Sequence, residues 1–556
     1  MRRRVGRMLA LVVAAAMVMT GCAGIPTSGP VRAGLAGGEV PDLGVDFVPL
    51  GPAPGDSPTE IVRGFLAAGN GSHNDFATAR LFLAESFAPR WEPDAGVLVY
   101  QGSADASQPG ENTVSMRVQP VATVDDTGHL VERSSDPAQD LSFEVVQEKG
   151  EWRISAAADG IVLLDAIFDQ AYAAHALYYL DPTRKYLVPD LRWFASRESI
   201  STRIVSTLLS GPSSWLSQAV TSAFPEGTQL AVDSVPVTNS RASVELTPEI
   251  LQASDADRTL MLAQLESSLR TVTSISSVTI LVNQQELAVT RAVGNPIRNP
   301  LVDPRPLVLA DGQFGYLTDA GVFPIDVLGQ RIVQLGPSAV MLSASRSTAA
   351  VLTPTGAWQL GVTGPPTLMD DRPAQVAPVL DGQGHFWSVS NESATPVRAS
   401  TAAGGIEFSL PWLGGARIVS LDLSRDGTRA LILARGASGP LLVVVGVLRD
   451  GPEPIGLGEP LFLAAGTGTA VDAVWVNELD VASLTVTESG AGVVLSQSIG
   501  GTTQRLTGLV APVSLAAGNR LDAVQALTAD GAVLIPRGTR WLEVRGNVSL
   551  LATQYP

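Results

Sequence analysis

The stretch ALYYLDPTRKYLVPDLRWF, residues 176–194, contains two apolar runs on either side of a short polar segment. The runs at 176–180 and 186–194 have the length and the large side chains that are typical of strands. The residues PTRK between them, at 182–185, are typical of a turn. The stretch therefore predicts two strands joined by a turn, at the start of a mixed α+β unit.

The residues after this pair of strands alternate between helix and strand patterns. Apolar residues recur every three or four positions over 198–210, where Gly211-Pro212 ends the pattern, and again from about Asp257. Three further runs have strand character: TQLAVDSVPV (228–237), RASVELT (241–247) and SVTILVN (277–283). The predicted order is strand, strand, helix, strand, strand, helix, strand.

The residues before this unit predict another α+β domain. SPTEIVRGFLAAG has a helical apolar stripe with Ser57 or Thr59 as its cap, and HNDFATARLFLAESF (73–87) predicts a second helix. Alternating runs between 97 and 160 then predict half-buried antiparallel strands. Helices followed by a meander that closes on EWRI (151–154) resemble an NTF2-like cone, and another α+β sandwich is the alternative.

The residues after the unit predict a linker and then an all-β domain. AVGNPIRNPLVDPRP (292–306) holds four prolines, which indicates a linker. Beyond it the helical period disappears, and alternating runs recur around tight turns: YLTDAGVF, VLTPTGAWQL, VLDGQGHFWSV, LDLSRDGTRALIL, AVWVNELDVASLTV and ALTADGAVLI. This pattern favours a β-propeller or a large sandwich, with the number of blades left open. Ser424-Arg425-Asp426-Gly427 resembles the turn of TolB-type blades, where we expect Asp426 to hold the turn through its side chain.

The amino terminus carries the one cysteine of the chain, Cys22. Four arginines within residues 1–7 precede an apolar run that is shorter than the roughly 20 residues of a membrane-spanning helix. The run closes on Met19-Thr20-Gly21-Cys22, which resembles the bacterial lipobox. We therefore expect cleavage before Cys22, an S-diacylglycerol and an N-palmitoyl group on that residue, and attachment to the outer face of the cell membrane. An uncleaved anchor with an ordinary cysteine is the alternative.

Composition restricts the kind of partner. The chain has a net charge of −17, and removal of the four signal arginines leaves 33 basic against 54 acidic side chains, a net charge of −21. So acidic a surface repels phosphate backbones, so nucleic-acid binding is not expected. Lipidation of Cys22 would leave no thiol for a disulfide. The predicted mode of membrane attachment is therefore the lipid and not a basic surface.

Residues with catalytic potential are scattered. The four histidines, His73, His129, His175 and His385, have no metal-ligand spacing, and nucleophile elbows and phosphate-binding loops are absent from the sequence. The acid pairs Asp125-Asp126 and Asp370-Asp371 are expected in turns, although a glycosidase would need only two such carboxylates. For the tryptophans of the all-β region we expect core packing. The sequence thus predicts no catalytic, metal or cofactor site.

Three stretches are similar to the GerMN domain of spore-germination proteins and exported actinobacterial lipoproteins: 176–194, LLSGPSSWLSQAVTSAFPEGTQL (208–230) and QLESSLRTVTSISSVTILVN (264–283). Together with CAGIPTSGP (22–30), they resemble the LpqB family of actinobacterial lipoproteins, which also carries a C-terminal propeller. The predicted division is a signal peptide 1–21, a tether 22–56, an NTF2-like α+β domain 57–170, a GerMN domain 171–291, a linker 292–306 and an all-β propeller 307–556.

The resemblance implies a function that spacing and charge do not. Members of that family are associated with a two-component system, and the lipoprotein contacts the extracellular domain of a sensor histidine kinase. The chain is thus expected to be a non-enzymatic, extracytoplasmic lipoprotein that modulates signalling, cell-envelope homeostasis and division. The alternative is a protein that binds or remodels cell-wall glycan, with peptidoglycan as its partner.

Overall fold

The structure, a computed structural model, describes residues 49–71, 76–133, 136–196, 199–289, 295–538 and 540–555. The predicted signal peptide, Cys22, most of the predicted tether and His73 lie outside these ranges. The described chain contains two α+β lobes followed by an all-β ring, which we call the first lobe, the second lobe and the ring. All three belong to one compact unit that starts at Pro49.

The first lobe begins with the predicted helix, at Pro58–Ala68. Ser57 Oγ accepts a hydrogen bond from the Glu60 backbone N–H, and the Glu60 carboxylate accepts one from the Ser57 N–H. This reciprocal capping box fixes where the helix starts. The helix buries Ile61 and Phe65 in the core of the lobe. The predicted helix and its Ser57 cap are confirmed.

The sheet of the first lobe confirms the alternating runs between 97 and 160. Its described strands are Gly96–Gly110, Thr113–Asp125, Leu130–Glu132, Gln139–Glu148, Glu151–Ala156 and Ile161–Leu164. Neighbouring strands are antiparallel, except that Ile161–Leu164 runs parallel to Gly96–Gly110. The sequence does not predict that last strand or the helix Asp165–Ala171 after it.

The second predicted helix of this lobe, over 73–87, is wrong for most of its length. In the described residues it is limited to Ala77–Arg80. Leu83 instead lies in a parallel bridge with Ile154 at the edge of the sheet. The Ala84 N–H donates to the Ile154 carbonyl at 2.8 Å, and the Ile154 N–H donates to the Phe82 carbonyl at 2.9 Å. The assignment of this lobe to the NTF2-like folds stays a prediction.

The second lobe has the predicted order of strands and helices. Its strands are Tyr172–Leu180, Tyr186–Ala195, Val237–Thr238, Arg241–Glu245, Ser277–Val282 and Gln285–Glu286, and its α-helices are Ile200–Ser210 and Asp255–Leu269. Gly211 follows the first helix with φ of 103°, a backbone conformation that glycine adopts easily, which ends the helix as predicted. One strand is largely wrong: of the predicted run 228–237, Val237 alone belongs to a strand, Val237–Thr238, because Asp233 and Pro236 suit a strand poorly.

The ring consists of antiparallel groups of four strands, which we call blades, and the described strands form six of them. Blades 1 and 2 are joined by a short parallel pairing between Val548–Gln554 and Ala339–Leu342. Blade 1 contains Val548–Gln554, Leu307–Ala310, Gln313–Thr318 and Gly321–Pro324, and blade 2 contains Ala339–Leu342, Thr348–Thr353, Gly356–Gly361 and Thr367–Asp370. Blade 3 contains Val379–Leu380, Phe386–Val389, Val397–Thr401 and Gly404–Phe408, and blade 4 contains Arg417–Leu423, Arg429–Gly436, Gly439–Asp450 and Glu453–Leu463. Blade 5 contains Thr469–Trp475, Asp480–Val486, Ala491–Ser498 and Thr503–Val510, and blade 6 contains Pro512–Ala517, Val524–Thr528, Val533–Arg537 and Arg540–Arg545.

The carboxyl-terminal strand closes the ring. Val548–Gln554 pairs antiparallel with Leu307–Ala310, the strand that opens the ring in sequence. The first-named strand of each blade contacts that of the next, and the one of blade 6 contacts Val548–Gln554. This is the connectivity of a six-bladed β-propeller. The expectation that helical structure ends after the linker is wrong: the described part of the ring contains the α-helix Leu328–Gln334 between blades 1 and 2, and the 3₁₀ helices Pro411–Leu413 and Leu521–Ala523.

The backbone of the segment 295–306, which joins the second lobe to the ring, forms hydrogen bonds with both. Ile297–Arg298 pairs in parallel with the strand Tyr186–Ala195 of the second lobe. Further along, Asn519 of blade 6 bonds both the N–H and the C=O of Val302. The Arg425 guanidinium of blade 4 donates to the Pro300 carbonyl, 3.1 Å away. The proline-rich linker thus fixes the lobe to the ring.

Candidate functional site

The two predicted acid pairs do not form paired catalytic carboxylates. In each pair one carboxylate is held by neighbours and the other is exposed. Asp370 forms an ion pair with Arg372 at 2.7 Å and accepts from Ser388 Oγ, whereas Asp371 is exposed. Asp125 accepts from Thr127 and His129 within its own turn, whereas Asp126 is exposed. Both pairs lie at turns, as expected.

His129 takes part in the contact between the two lobes. Its Nδ1 lies 3.0 Å from Asp125 Oδ2, and its Nε2 lies 2.5 Å from Ser213 Oγ of the second lobe. Carboxylate, imidazole and hydroxyl thus lie next to one another in the same spatial succession as in the catalytic triad of a serine protease. However, Ser213 is buried and its hydroxyl donates to Asp190 Oδ1, at 2.6 Å. Because a carboxylate can only accept, His129 Nε2 is the donor to Ser213, and Ser213 is not activated as a nucleophile.

The backbone around His129 strengthens the same contact. The Trp193 N–H donates to the Gly128 carbonyl at 2.7 Å, and Arg192 donates to the Thr127 carbonyl at 2.9 Å. A Cβ atom on Gly128, which has φ of 88°, would lie only 2.8 Å from the Phe194 ring. Glycine is therefore required here both by conformation and by space.

Sequence reasoning missed this constellation, although a local signal exists. The pattern Asp-x-x-Gly-His occurs at 125–129 and again at 381–385. At both places the aspartate Oδ1 accepts from the histidine N–H, at 2.9 and 2.8 Å. The pattern therefore marks an aspartate-closed turn that orients a histidine. It does not indicate the distant partner of that histidine.

The other two described histidines are buried in different surroundings. His175 Nδ1 lies 2.8 Å from Thr271 Oγ1, and burial lowers the pKa of His175. His385, in blade 3, lies between Asp381 and Glu453, and these carboxylates raise its pKa. Within the described ranges, no group of three or more His, Cys, Asp or Glu side chains is placed to hold a metal ion.

A buried ion pair connects blades 3 and 4. Asp381 pairs with Arg449 of blade 4 at 2.8 Å, and both side chains are almost fully buried. Burial alone would raise the pKa of Asp381, but hydrogen bonding to His385 and the Arg449 charge lower it to about 2.

The Asp426 carboxylate accepts hydrogen bonds from Ser424, Thr428 and Arg429, which confirms that its side chain holds the turn. Tyr555, after the closing strand, donates to the Arg425 carbonyl of the same turn.

The tryptophans of the ring mainly pack in its cores, as predicted. Trp387, Trp412, Trp475 and Trp541 belong to or pack against buried clusters, and Trp358 donates to Thr353 Oγ1. Trp387 is fully buried, stacks on Phe408 and donates to Asp381. Their packing between the sheets explains their positions in the sequence.

Two further buried carboxylates join the inner strands of the ring. Asp422 of blade 4 accepts from the Trp475 N–H of blade 5, and Asp472 of blade 5 accepts from the Leu515 N–H of blade 6, both at 2.8 Å. Burial raises the pKa of Asp422 to about 7, and the nearby Asp472 carboxylate adds to this. The pKa of Asp472 is raised by burial too.

Asp422→Asn is expected to flatten the pH dependence of stability. The folded-state pKa of about 7 lies above the unfolded value of about 4, so the folded protein binds the extra proton between them. The protonated Asp422 carboxyl therefore stabilises the folded state, and its contribution to the free energy of unfolding is fully present below about pH 4. The contribution is lost as the pH rises through 7, and between these values the free energy of unfolding falls by up to about 1.4 kcal/mol per pH unit. Urea denaturation of both proteins across this range measures the difference. Parallel curves would contradict the assignment.

A cavity lies in the cleft between the first and second lobes. Its volume is about 120 Å³, and it is lined by both lobes. Val97 and Asp125 belong to the first lobe, and Trp193, Phe194 and Arg203 to the second.

Among the described helices, none combines the length and the apolar character that a membrane span requires.

Three family models match successive segments of the chain. The family model for the N-terminal domain of lipoprotein LpqB matches residues 51–169, the Germane model (sporulation and spore germination) matches 176–288, and the model for the LpqB β-propeller domain matches 312–551. The first GerMN domain of the sporulation protein GerM from Bacillus subtilis covers 22% of this chain and 93% of its own, at 22% identity and a TM-score of 0.19.

Full-length relatives carry the same name. Lipoprotein LpqB of Thermobifida fusca is 28% identical over 86% of this chain and 87% of its own length. Lipoprotein LpqB of Bifidobacterium longum is 28% identical over 82% of this chain and 81% of its own. With three matched models that run in order from residue 51 to residue 551, the chain belongs to the LpqB lipoprotein family.

Proposed function

We propose that this lipoprotein is anchored through Cys22 to the outer face of the cell membrane, where it binds the extracellular domain of a sensor histidine kinase and modulates it. The S-diacylglycerol and N-palmitoyl groups on Cys22 supply the anchor. The folded body acts by contact and not by catalysis. In this role it influences two-component signalling, envelope homeostasis and division.

The observation that carries the proposal is the match to lipoprotein domain models along the chain downstream of a lipobox cysteine. Several acyl chains give stable attachment, whereas one chain binds a membrane only marginally. Attachment confines the protein to the membrane surface, which raises its effective concentration near membrane receptors. Weak contacts to a receptor domain can therefore be occupied.

The arrangement of polar groups supports a contact role over catalysis. The described set that most resembles a catalytic centre, Asp125, His129 and Ser213, is used up in hydrogen bonds between lobes, with Ser213 donating to Asp190. A hydrolase would need the Ser213 hydroxyl exposed to substrate and donating to His129. The surfaces available for such contacts belong to the proposed NTF2-like domain 57–170, GerMN domain 171–291 and propeller 307–556, which the tether 22–56 connects to the lipid.

Binding to purified extracellular domains of the sensor histidine kinases of the same organism tests this function. We expect saturable binding of the full-length, detergent-solubilised protein to one domain, with the other domains as matched controls. Sedimentation with purified peptidoglycan is measured in parallel and is expected to be absent. Binding to no sensor domain, together with sedimentation on peptidoglycan, would support the alternative of a wall-binding protein.

A further inference from the structure

We infer that the cavity between the first and second lobes binds a small compound with a single ring and one carboxylate group. The inference rests on the size of the cavity, on its aromatic walls and on one arginine at its rim. It does not depend on the proposed contact with a sensor kinase.

The size of the cavity limits the ligand to about one ring. A volume of about 120 Å³ is close to that of a protein cavity of roughly 150 Å³ known to take up benzene. Clefts between domains are preferred places for small-molecule sites, because each domain supplies one wall. Here Pro93 and Val97 come from the first lobe, and Tyr172 and Phe194 from the second.

The aromatic walls are held in place from behind. Phe168 packs against Tyr172, with ring centroids 5.1 Å apart, and against Trp193, at 5.3 Å. The Trp193 indole N–H donates to the Gly500 carbonyl of the ring, at 2.9 Å. Trp193 is therefore fixed at a point where both lobes and the ring meet. Aromatic side chains held in this way give the cavity a fixed apolar wall, which suits a ring-shaped ligand.

The charge at the rim selects an anion. Arg203 lines the cavity and is exposed; its guanidinium carbon lies 5.7 Å from the Phe194 ring centroid, and one N–H group donates to the Asp126 carbonyl. Within the described part of the chain, Arg203 forms no ion pair with a carboxylate. The remaining N–H groups can bind a carboxylate in the bidentate manner that guanidinium favours.

The acidic residues of the lining do not offset this preference. Asp125 Oδ1 accepts hydrogen bonds from the backbone N–H groups of Thr127 and His129, and Asp125 Oδ2 lies 3.0 Å from His129 Nδ1. Asp94 has an interaction partner as well. A cationic ligand would require a carboxylate without a partner in the lining, and a neutral ring would leave the Arg203 charge unused.

Isothermal titration of the full-length, detergent-solubilised protein tests the inference. Benzoate is the probe, and benzamide is its neutral counterpart of the same shape. Arg203 is exposed and water screens its charge, so we expect benzoate to bind about two- to fivefold more tightly than benzamide. No binding of benzoate, or equal binding of the two compounds, would overturn the inference.

Variants of Arg203 identify the group responsible. Arg203→Gln is expected to remove the preference for benzoate, and Arg203→Lys to keep part of it, because lysine retains the charge but not the planar fork. Arg117→Gln changes an exposed arginine on the sheet of the first lobe and is the matched control; it should bind as the unchanged protein does. An unchanged benzoate preference in Arg203→Gln would overturn the assignment.

Discussion

Replacing Cys22 with alanine is expected to release the protein from the detergent phase of a membrane extract. The thioether bond to the diacylglycerol needs the Cys22 sulfur, and cleavage before this residue follows lipidation. Each buried methylene of an acyl chain contributes about 0.8 kcal/mol of membrane binding, so loss of all chains removes stable anchoring. Detergent phase partition followed by immunoblotting measures the distribution.

The control for this experiment lies in the same segment. Ser28→Ala changes a small residue six positions after Cys22 and leaves the lipobox intact, so it should partition as the unchanged protein does. If Cys22→Ala stays in the detergent phase as fully as Ser28→Ala, the protein is held there by something other than a lipid on Cys22.

Asp190→Ala is expected to lower the free energy of unfolding by about 3–5 kcal/mol. Asp190 and Arg192 form an ion pair at 2.8 Å in which both side chains are almost completely buried. Asp190 also accepts from the backbone N–H and the hydroxyl of Ser213. Removal of the carboxylate leaves the Arg192 charge buried without compensation, together with two unsatisfied donors on Ser213.

An exposed ion pair provides the comparison. Asp140→Ala breaks the pair between Arg117 and Asp140, in which both side chains are about 60% exposed. Exposed pairs contribute at most about 1 kcal/mol, because water and salt screen them. Urea denaturation of both variants measures the two losses. Equal losses would contradict the view that the buried pair between Asp190 and Arg192 contributes more to the free energy of unfolding than the exposed pair does.

Local patterns predicted much of the fold. Ser57 with Glu60 marks the first helix, and Gly211-Pro212 ends the helix Ile200–Ser210. Each of the six alternating runs quoted from the all-β region forms a hairpin in a different blade. Hairpins could be predicted because the turn residues and the alternation lie within a few positions of each other.

Long-range features could not be predicted in this way. The number of blades depends on the pairing of Val548–Gln554 with Leu307–Ala310, which are separated by more than two hundred residues in the chain. Likewise, nothing in the sequence near His129 indicates that Ser213 lies beside it. Such contacts arise from the packing of whole lobes and leave no local spacing to detect.

Two errors have local physical causes. The run 228–237 alternates like a strand, but Pro236 lacks a donor for a sheet, and Val232 is 45% exposed. The helical pattern over 73–87 competes with pairing to the sheet, where Leu83 bridges to Ile154. At Leu83 the contact with the sheet thus outweighs the local preference for a helix, and at 228–237 proline and exposure prevent a regular strand.

The mass of the amino-terminal peptide of the mature protein, extracted from membranes, tests the central claim most directly. The account predicts a peptide that begins at Cys22 and carries the added mass of a diacylglyceryl group and an amide-linked acyl chain. A peptide that begins elsewhere, or an unmodified Cys22, would contradict it.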